Sequence, residues 1–378
     1  MNAAAVPDAG LGSRGLTEAD IDDIAAGAAV LGCGGGGDPY VGALMTRQSL
    51  RGGQPVHVVP PAAVPDDALV IVIAGIGAPP VLIEKIANGS ESELALRHLE
   101  KHLGRRAEYL MSAEVGGLNS LYPLQVAAKV GLPVVDADGM GRAFPKLEMT
   151  SFHIFGIPVT PMALVNERGD LVLMQTTSDF QAEHFVKHLA VAMGGIMSSA
   201  GFSLSGADVK RAAVPGTLSI CHAIGGALRQ ARERHADPFA ALLAALRATT
   251  YYRHAHLIFE GKVSDVQREV TGRWSLGQAR IDGPGGRVLK LAIQNEHLVA
   301  RIDGRTAAIV PDLLAVLDED SAQAITAEQL RYGQRVRVLA ASVPPIMRSE
   351  AALKVWGPQA FGIDEPFVPI EQLIAPGG

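Results

Sequence analysis

The sequence predicts an α/β N-terminal domain with a mostly parallel sheet, followed by a β-rich α+β C-terminal domain. Between Val56 and Asp138, β-rich apolar runs alternate with helical segments, the pattern of parallel strands joined by crossover helices. Each of the later runs in that stretch ends in glycine mixed with polar residues. From Ala255 onward, short β runs are broken by turns at Asp282-Gly283-Pro284-Gly285-Gly286 and Asp303-Gly304. A chain of 378 residues is long enough for two cores. The expected units are 15–178, carrying a Gly-rich loop, and 179–375, with a boundary that discontinuous segments can cross.

Taken in order, Thr17-Glu18-Ala19-Asp20 has the form of a capping box and opens an alanine-rich helix to Leu31. Asp38-Pro39 reads as an N-cap followed by proline at the first helical position, starting a second helix toward Leu50. Strands are expected at Val56 to Val59, Ala68 to Ala74, Ala107 to Ser112 and Pro133 to Asp136, with helices at Glu91 to Leu103 and Asn119 to Val130. A hairpin then turns at Glu167-Arg168-Gly169-Asp170 between Thr160 to Asn166 and Leu171 to Thr176. Helices follow at Asp179 to Met193, Thr217 to His235 and Pro238 to Arg247. The last third is read as strands at Ala255 to Phe259, Lys262 to Val270, Arg287 to Gln294, His297 to Ile302, Thr306 to Val310 and Arg335 to Leu339.

Composition excludes several classes of function. With 33 basic and 39 acidic residues the formal net charge is −6, which gives no footprint for nucleic acid or an anionic membrane. The longest apolar run, Ala68 to Ile83, is interrupted by Pro79-Pro80 and ends at Glu84, too short to span a bilayer. No signal peptide precedes Thr17, and only the first dozen or so residues look disordered in composition. Two cysteines, Cys33 and Cys221, make no disulfide framework. A cytoplasmic soluble protein with a small-molecule substrate is expected, assembled as a homodimer or homotetramer.

The stretch from Gly32 to Gly37 is glycine except for Cys33. Such a run lets backbone approach a ligand or another backbone closely, at an entropic cost. Gly32, Gly34 and Gly37 match a dinucleotide fingerprint, but a helix precedes them where a strand is needed. Asp38 and Pro39 stand where a P-loop needs Lys and Ser or Thr, so no nucleotide cofactor is expected. What remains is an anion or polar-ligand cradle, Gly34 to Gly37 with Asp38, or else a tight helix corner. In open parallel sheets ligands sit beyond the carboxyl ends of strands, and there the sequence places Glu114, Asp136 and Asp138. Each has an alternative: the aspartates as turn or helix caps, and Glu114 as a partner of Arg142 or a cap for the helix at Asn119.

Further clusters lie in the second half. Cys221 and His222 are adjacent on a helix and diverge by about 100°, so they do not readily share a metal. His254 and His256 would project from one face of a strand, as a metal pair or as a packed one. Asn295-Glu296-His297 lies between two β runs, as site chemistry or as a surface turn. Arg142, Arg253 and Arg273 can each clamp a carboxylate or serve as surface ion-pair partners.

VLGCGGGGDPYVG, DADGMGRAFP at Asp136 to Pro145, PGTLS, IFEGKVSDVQREVTG, QNEHLVA and VPDLLAVLD resemble the domain-of-unknown-function 917 family, also described as S-methyl-thiohydantoin desulfurase-like. The resemblance runs from about Thr17 to the end. It implies an α/β part followed by a β-rich part, and hydrolytic removal of sulfur from a 2-thiohydantoin ring, of the kind arising in thiohistidine breakdown. Many relatives carry a hydroxyl residue in place of Cys33, which speaks against a general cysteine mechanism. On this reading the loop amides hold developing charge, Asp136 or Asp138 activates water and Glu114 shuttles a proton. Arg142, Asn295 and Glu296 bind substrate. A divalent ion, zinc first, held by Asp138, His254 and His256, would supply hydroxide; alternatively the Cys33 thiolate attacks first. The rival reading is an anion- or nucleotide-binding protein whose loop does no chemistry at sulfur.

Overall fold

The structure, a computed structural model, describes residues 11, 14–78, 81, 85, 87–271 and 274–374. Arg273, Pro79, Pro80, Ile83 and Glu84 lie outside the described residues, as does most of the stretch read as disordered. Helix α1 (Glu18–Leu31) starts from a complete capping box: the Thr17 hydroxyl accepts the Asp20 N–H, and the Asp20 carboxylate accepts the Thr17 N–H at 2.8 Å. Asp38 caps α2 (Pro39–Gly52) by accepting the Tyr40 N–H at 2.9 Å. The Gly-rich loop is therefore suspended between two firmly started helices.

The first sheet takes β1 (Val58–Val59), β2 (Leu69–Gly77), α3 (Glu91–Leu103), β3 (Tyr109–Ser112), α4 (Tyr122–Val130) and β4 (Val134–Val135) as parallel β–α units. Beyond them come β5 (Ala137–Asp138), α5 (Ser151–Ile154), the hairpin β6 (Met162–Val165) and β7 (Leu171–Met174), α6 (Asp179–Ala192) and β8 (Ile196–Ser205). Strand order is β1-β4-β3-β2-β8-β6-β7. Because β8 runs antiparallel to both β2 and β6, the sheet is mixed rather than mostly parallel. Sequence reading passed over β8 because serine and glycine fill it. Those small residues fit a strand covered on both faces: Ser198 meets Ser92 of α3 at 2.9 Å, and Ser199 donates to the Ala74 carbonyl at 3.1 Å. The α/β layer thus draws on residues on both sides of position 178.

After α7 (Gly206–Ala212) and β9 (Val214–Pro215), helix α8 (Thr217–Glu233) returns to lie against α1, followed by α9 (Pro238–Arg247). The remaining strands are β10 (His256–Thr271), β11 (Trp274–Asp282), β12 (Val288–Gln294), β13 (Glu296–Ile302), β14 (Arg305–Ile309), β15 (Leu313–Asp318) and β16 (Arg335–Ala341). They form one antiparallel sheet, ordered β14-β13-β12-β11-β10-β16-β15. It curls far enough for His297 on β13 to approach the Leu314 carbonyl on β15 at 3.3 Å. Two short helices, α10 (Glu350–Trp356) and α11 (Ile370–Leu373), close the chain's described part. Trp356 stacks on Phe144 with ring centroids 5.6 Å apart, joining the last segment to the first domain's core.

The α1–α8 crossing is made backbone to backbone. A Cβ built on Gly225 would lie 1.9 Å from the Asp23 carbonyl oxygen, and just beyond it Arg229 donates two bonds to the Asp23 carboxylate, each 2.9 Å. Alanine in a helix is ordinarily worth about 1 kcal/mol over glycine, but overpacking a contact against backbone costs about 1–3 kcal/mol. Gly225→Ala should therefore destabilise the protein by about 2 kcal/mol, seen as a lower urea midpoint at unchanged slope.

Candidate active site

The Gly-rich loop is pinned on three sides by main chain. His297 N–H donates to the Cys33 carbonyl at 2.7 Å, Ala327 N–H to Gly34 at 2.8 Å and Leu118 N–H to Gly36 at 2.8 Å. Two of these donors belong to the β-rich half and one to the segment after β3, so the loop sits where the halves meet. It carries glycine because its neighbours leave no room: a Cβ on Gly35 would fall 2.1 Å from Glu296 Oε1, and one on Gly36 would fall 2.4 Å from the Gly116 carbonyl oxygen. Gly36 also has φ +72°.

In front of the loop opens a cleft that is continuous with solvent. Its floor is the end of β2, from Ala74 to Gly77, with Ser199 and Phe202 of β8; its walls include Glu114, Asn119, Tyr122 and Phe144. The β-rich half contributes Asn295, Glu296 and Glu328. The Gly36 and Gly37 N–H groups face no acceptor among the described residues, and both glycines line the cleft. Such amides ahead of a helix start favour an anion or a developing negative charge.

Glu114 is held by two donors, Asn119 Nδ2 to Oε1 at 2.5 Å and Phe144 N–H to Oε2 at 3.1 Å. Asn119 in turn accepts the Gly75 N–H at 2.7 Å, which ties the carboxyl to the end of β2. Burial lifts the Glu114 carboxyl to about 7, against those hydrogen bonds and with help from nearby Asp138. Glu296 is raised well above its ordinary range by burial and by the Glu114 carboxylate, with Arg142 opposing. The Arg142 guanidinium is fully buried and hydrogen-bonds to the carbonyls of Ala143, Pro311, Asp312 and His297. It lies 4.8 Å from the centre of the Phe144 ring. Placed so, Arg142 supplies positive potential behind the cleft and does not line it, so it is no clamp for a substrate carboxylate.

A family model for the S-Me-THD-like N-terminal domain matches residues 19–176, and one for the S-Me-THD-like C-terminal domain matches residues 177–370. The chain belongs to the S-Me-THD-like family. A crystal structure of a protein from Chromobacterium violaceum is similar to it at 25% identity and a TM-score of 0.80, over 94% of this chain and 99% of that chain. No protein of curated function matches it. Membership in the S-Me-THD-like family implies an enzyme and suggests a thiohydantoin desulfurase-type function.

In this S-Me-THD-like chain the structure brings Gly35, Gly36, Gly37, Glu114, Asn295 and Glu296 to one cleft. The other residues singled out in the sequence lie elsewhere. Cys33 is fully buried, is not among the residues that line the cleft, and has its thiol pushed up by burial, which works against a thiolate nucleophile. Gly34 lies against the His297 ring. Asp38 is spent on its cap and on Gln329 Nε2 at 2.8 Å. Asp136 caps α8, accepting the Leu218 and Ser219 N–H groups and the Ser219 hydroxyl. Asp138 accepts the N–H groups of Val115, Met140 and Gly141 behind the cleft, and burial lifts it to about 7.

The proposed metal set is not assembled. Among the described residues no group of three or more His, Cys, Asp or Glu side chains is placed to hold a metal ion. His254 instead sits beside Arg253, and His256 pairs with Ala340 at the start of β10. Cys221 is buried and His222 pairs with Asp20 at 2.9 Å. No helix among the described residues is long and apolar enough to cross a membrane.

Sequence reasoning missed Asn119, Tyr122, Lys146, Glu183 and Glu328 as cleft residues. Asn119 had a signal, an amide two residues beyond the Gly116-Gly117 pair that follows a strand end. Glu328 had none, since it is brought there by tertiary bonds of its neighbours, Ala327 N–H to the Gly34 carbonyl and Gln329 Nε2 to Asp38. Gly36→Ala combines a forced φ with a clash against backbone, so it should cost about 2–4 kcal/mol, measured by urea unfolding, and should abolish ligand binding in whatever fraction remains folded.

Proposed function

We propose that this protein hydrolyses the carbon–sulfur double bond of a small 2-thiohydantoin ring, with Glu114 as general base and acid and the loop amides as the charge-stabilising site. The observation that supports it most is the meeting, on one cleft, of a buried carboxyl lifted to about 7 and the two unpaired N–H groups of Gly36 and Gly37. An acid poised near neutral pH suits a proton that must be taken and then returned. Family membership, which suggests a thiohydantoin desulfurase-type function, supports a bond at sulfur as the one cut.

Water is drawn onto the thioxo carbon as ionised Glu114 accepts one of its protons. The C=S electron pair moves to sulfur, whose charge the Gly36 and Gly37 amides stabilise. Glu114 then returns the proton to sulfur. The new hydroxyl closes to a carbonyl as the again ionised Glu114 takes its proton, the C–S bond breaks with its electron pair leaving on sulfur as HS⁻, and Glu114 passes that proton on to it, giving a hydantoin and hydrogen sulfide. Because the residues do not fit the zinc site proposed from sequence, no step runs through a metal ion. Cys33, shut in behind the loop, forms no bond to the ring.

Glu114→Gln should lower sulfide release from a 2-thiohydantoin by about 10²-fold or more while leaving the fold intact, the usual scale for loss of a general base. The first step needs ionised Glu114, so kcat/KM for the native protein should rise with pH through about 7, and that limb should vanish in Glu114→Gln. Stabilisation by ATP but by no ring compound in a thermal-shift panel would overturn the assignment. Cys33→Ser should keep sulfide release within about threefold of native, since a buried thiol that never meets substrate contributes only packing; a loss of several orders of magnitude would restore the thiolate route.

A further inference from the structure

Glu296 is 2% exposed, lies in the cleft wall, and has an Oε2 with no hydrogen-bond partner among the described residues. Leaving a buried oxygen unpaired costs about 1–3 kcal/mol, so such an atom marks a place where something else is meant to bind. The other oxygen packs against the loop, where Gly35 leaves just enough room for it: a Cβ there would fall 2.1 Å from Oε1. The nearby Arg142 gives its hydrogen bonds to carbonyl oxygens and not to this carboxyl. Burial and the Glu114 and Glu328 carboxylates push the Glu296 carboxyl well above its ordinary range, with Arg142 opposing, which favours the neutral form.

A neutral carboxylic acid presents one O–H donor and one carbonyl acceptor side by side. Its complement is a cis amide, with N–H and C=O or C=S on the same edge. An open-chain amide is held almost always trans and turns those groups to opposite sides, whereas a five-membered ring has no choice but cis. We propose that Glu296 is the specificity-determining residue that recognises the N–H/C=X edge of a cyclic amide or ureide ring by a paired, two-bond contact. The inference rests on the ring-hydrolase reading above and names what that site selects. The flat ring lies over the apolar floor of Val72, Ala74 and Ile76. The desulfurated product, hydantoin, carries the same edge as the substrate and should itself bind.

The test is calorimetric titration of the native protein, Glu296→Gln and Glu296→Leu with hydantoin, 1-methylhydantoin and 3-methylhydantoin. Native protein should bind hydantoin, and methylation at the paired nitrogen should weaken binding by about tenfold or more. Glu296→Gln keeps a donor beside an acceptor and should bind within about fivefold of native, whereas Glu296→Leu should lose about tenfold or more. The proposal is overturned if hydantoin does not bind, if both methyl isomers bind as well as the parent, or if a folded Glu296→Leu binds undiminished. The two isomers are compared on native protein, so the answer stands even where a variant fails to fold. Methyl-sensitive hydantoin binding without sulfide release from any 2-thiohydantoin would sink the desulfurase reading alone. Sulfide release alongside binding blind to ring methylation would sink the Glu296 pairing alone.

Discussion

Three main-chain hydrogen bonds onto a loop almost without side chains decide the geometry of everything else. The carbonyls of Cys33, Gly34 and Gly36 are taken by His297, Ala327 and Leu118, so one strand of backbone is held at once by both halves of the molecule. A side chain at Gly35 would push against Glu296 of the β-rich half, and one at Gly36 against Gly116 of the segment after β3. With the contact made, Glu296 and Glu328 from the β-rich half reach the cleft built at the ends of β2 and β3. The glycines thus serve as spacers of nearly zero thickness, and their entropic cost is met by a junction no bulkier sequence could form.

The second organising constraint is electrostatic. Burial raises Glu114, Asp138 and Glu296; Asp138 adds to the rise at Glu114 and Glu114 to that at Glu296, with Arg142 opposing at both glutamates. Arg142 hydrogen-bonds only carbonyl oxygens and is stacked near Phe144, which itself packs on Trp356. Its charge is left available to the neighbouring carboxyls instead of being neutralised by a direct ion pair. Burial of several acids around one fixed cation keeps part of the set protonated near neutral pH, the state in which carboxyl groups can both donate and accept.

The positions of the acids show how far local sequence carries. Glu114, Asp136 and Asp138 all follow strand ends and look equivalent in one dimension. In space they differ because the chain turns at different points: Glu114 faces the cleft, Asp136 closes the start of α8, and Asp138 gathers three amides of the surrounding turns. Strand β8 was hidden for a related reason. Its serines allow the close approach of β2 and α3 and carry little β signal of their own.

By itself the sequence determined the local elements with strong signals, namely the capping box at Thr17, the Asp38-Pro39 helix start, the β–α units up to Asp138 and the glycine loop. It determined these because capping, periodicity and glycine's lack of a Cβ act within a few residues. The mixed sheet, the burial of Cys33, the scattering of Asp138, His254 and His256, and the arrival of Glu296 and Glu328 at the glycine loop were decided only by tertiary structure. Those outcomes depend on contacts between residues hundreds of positions apart, whose free energy exists only once both surfaces are folded and pressed together.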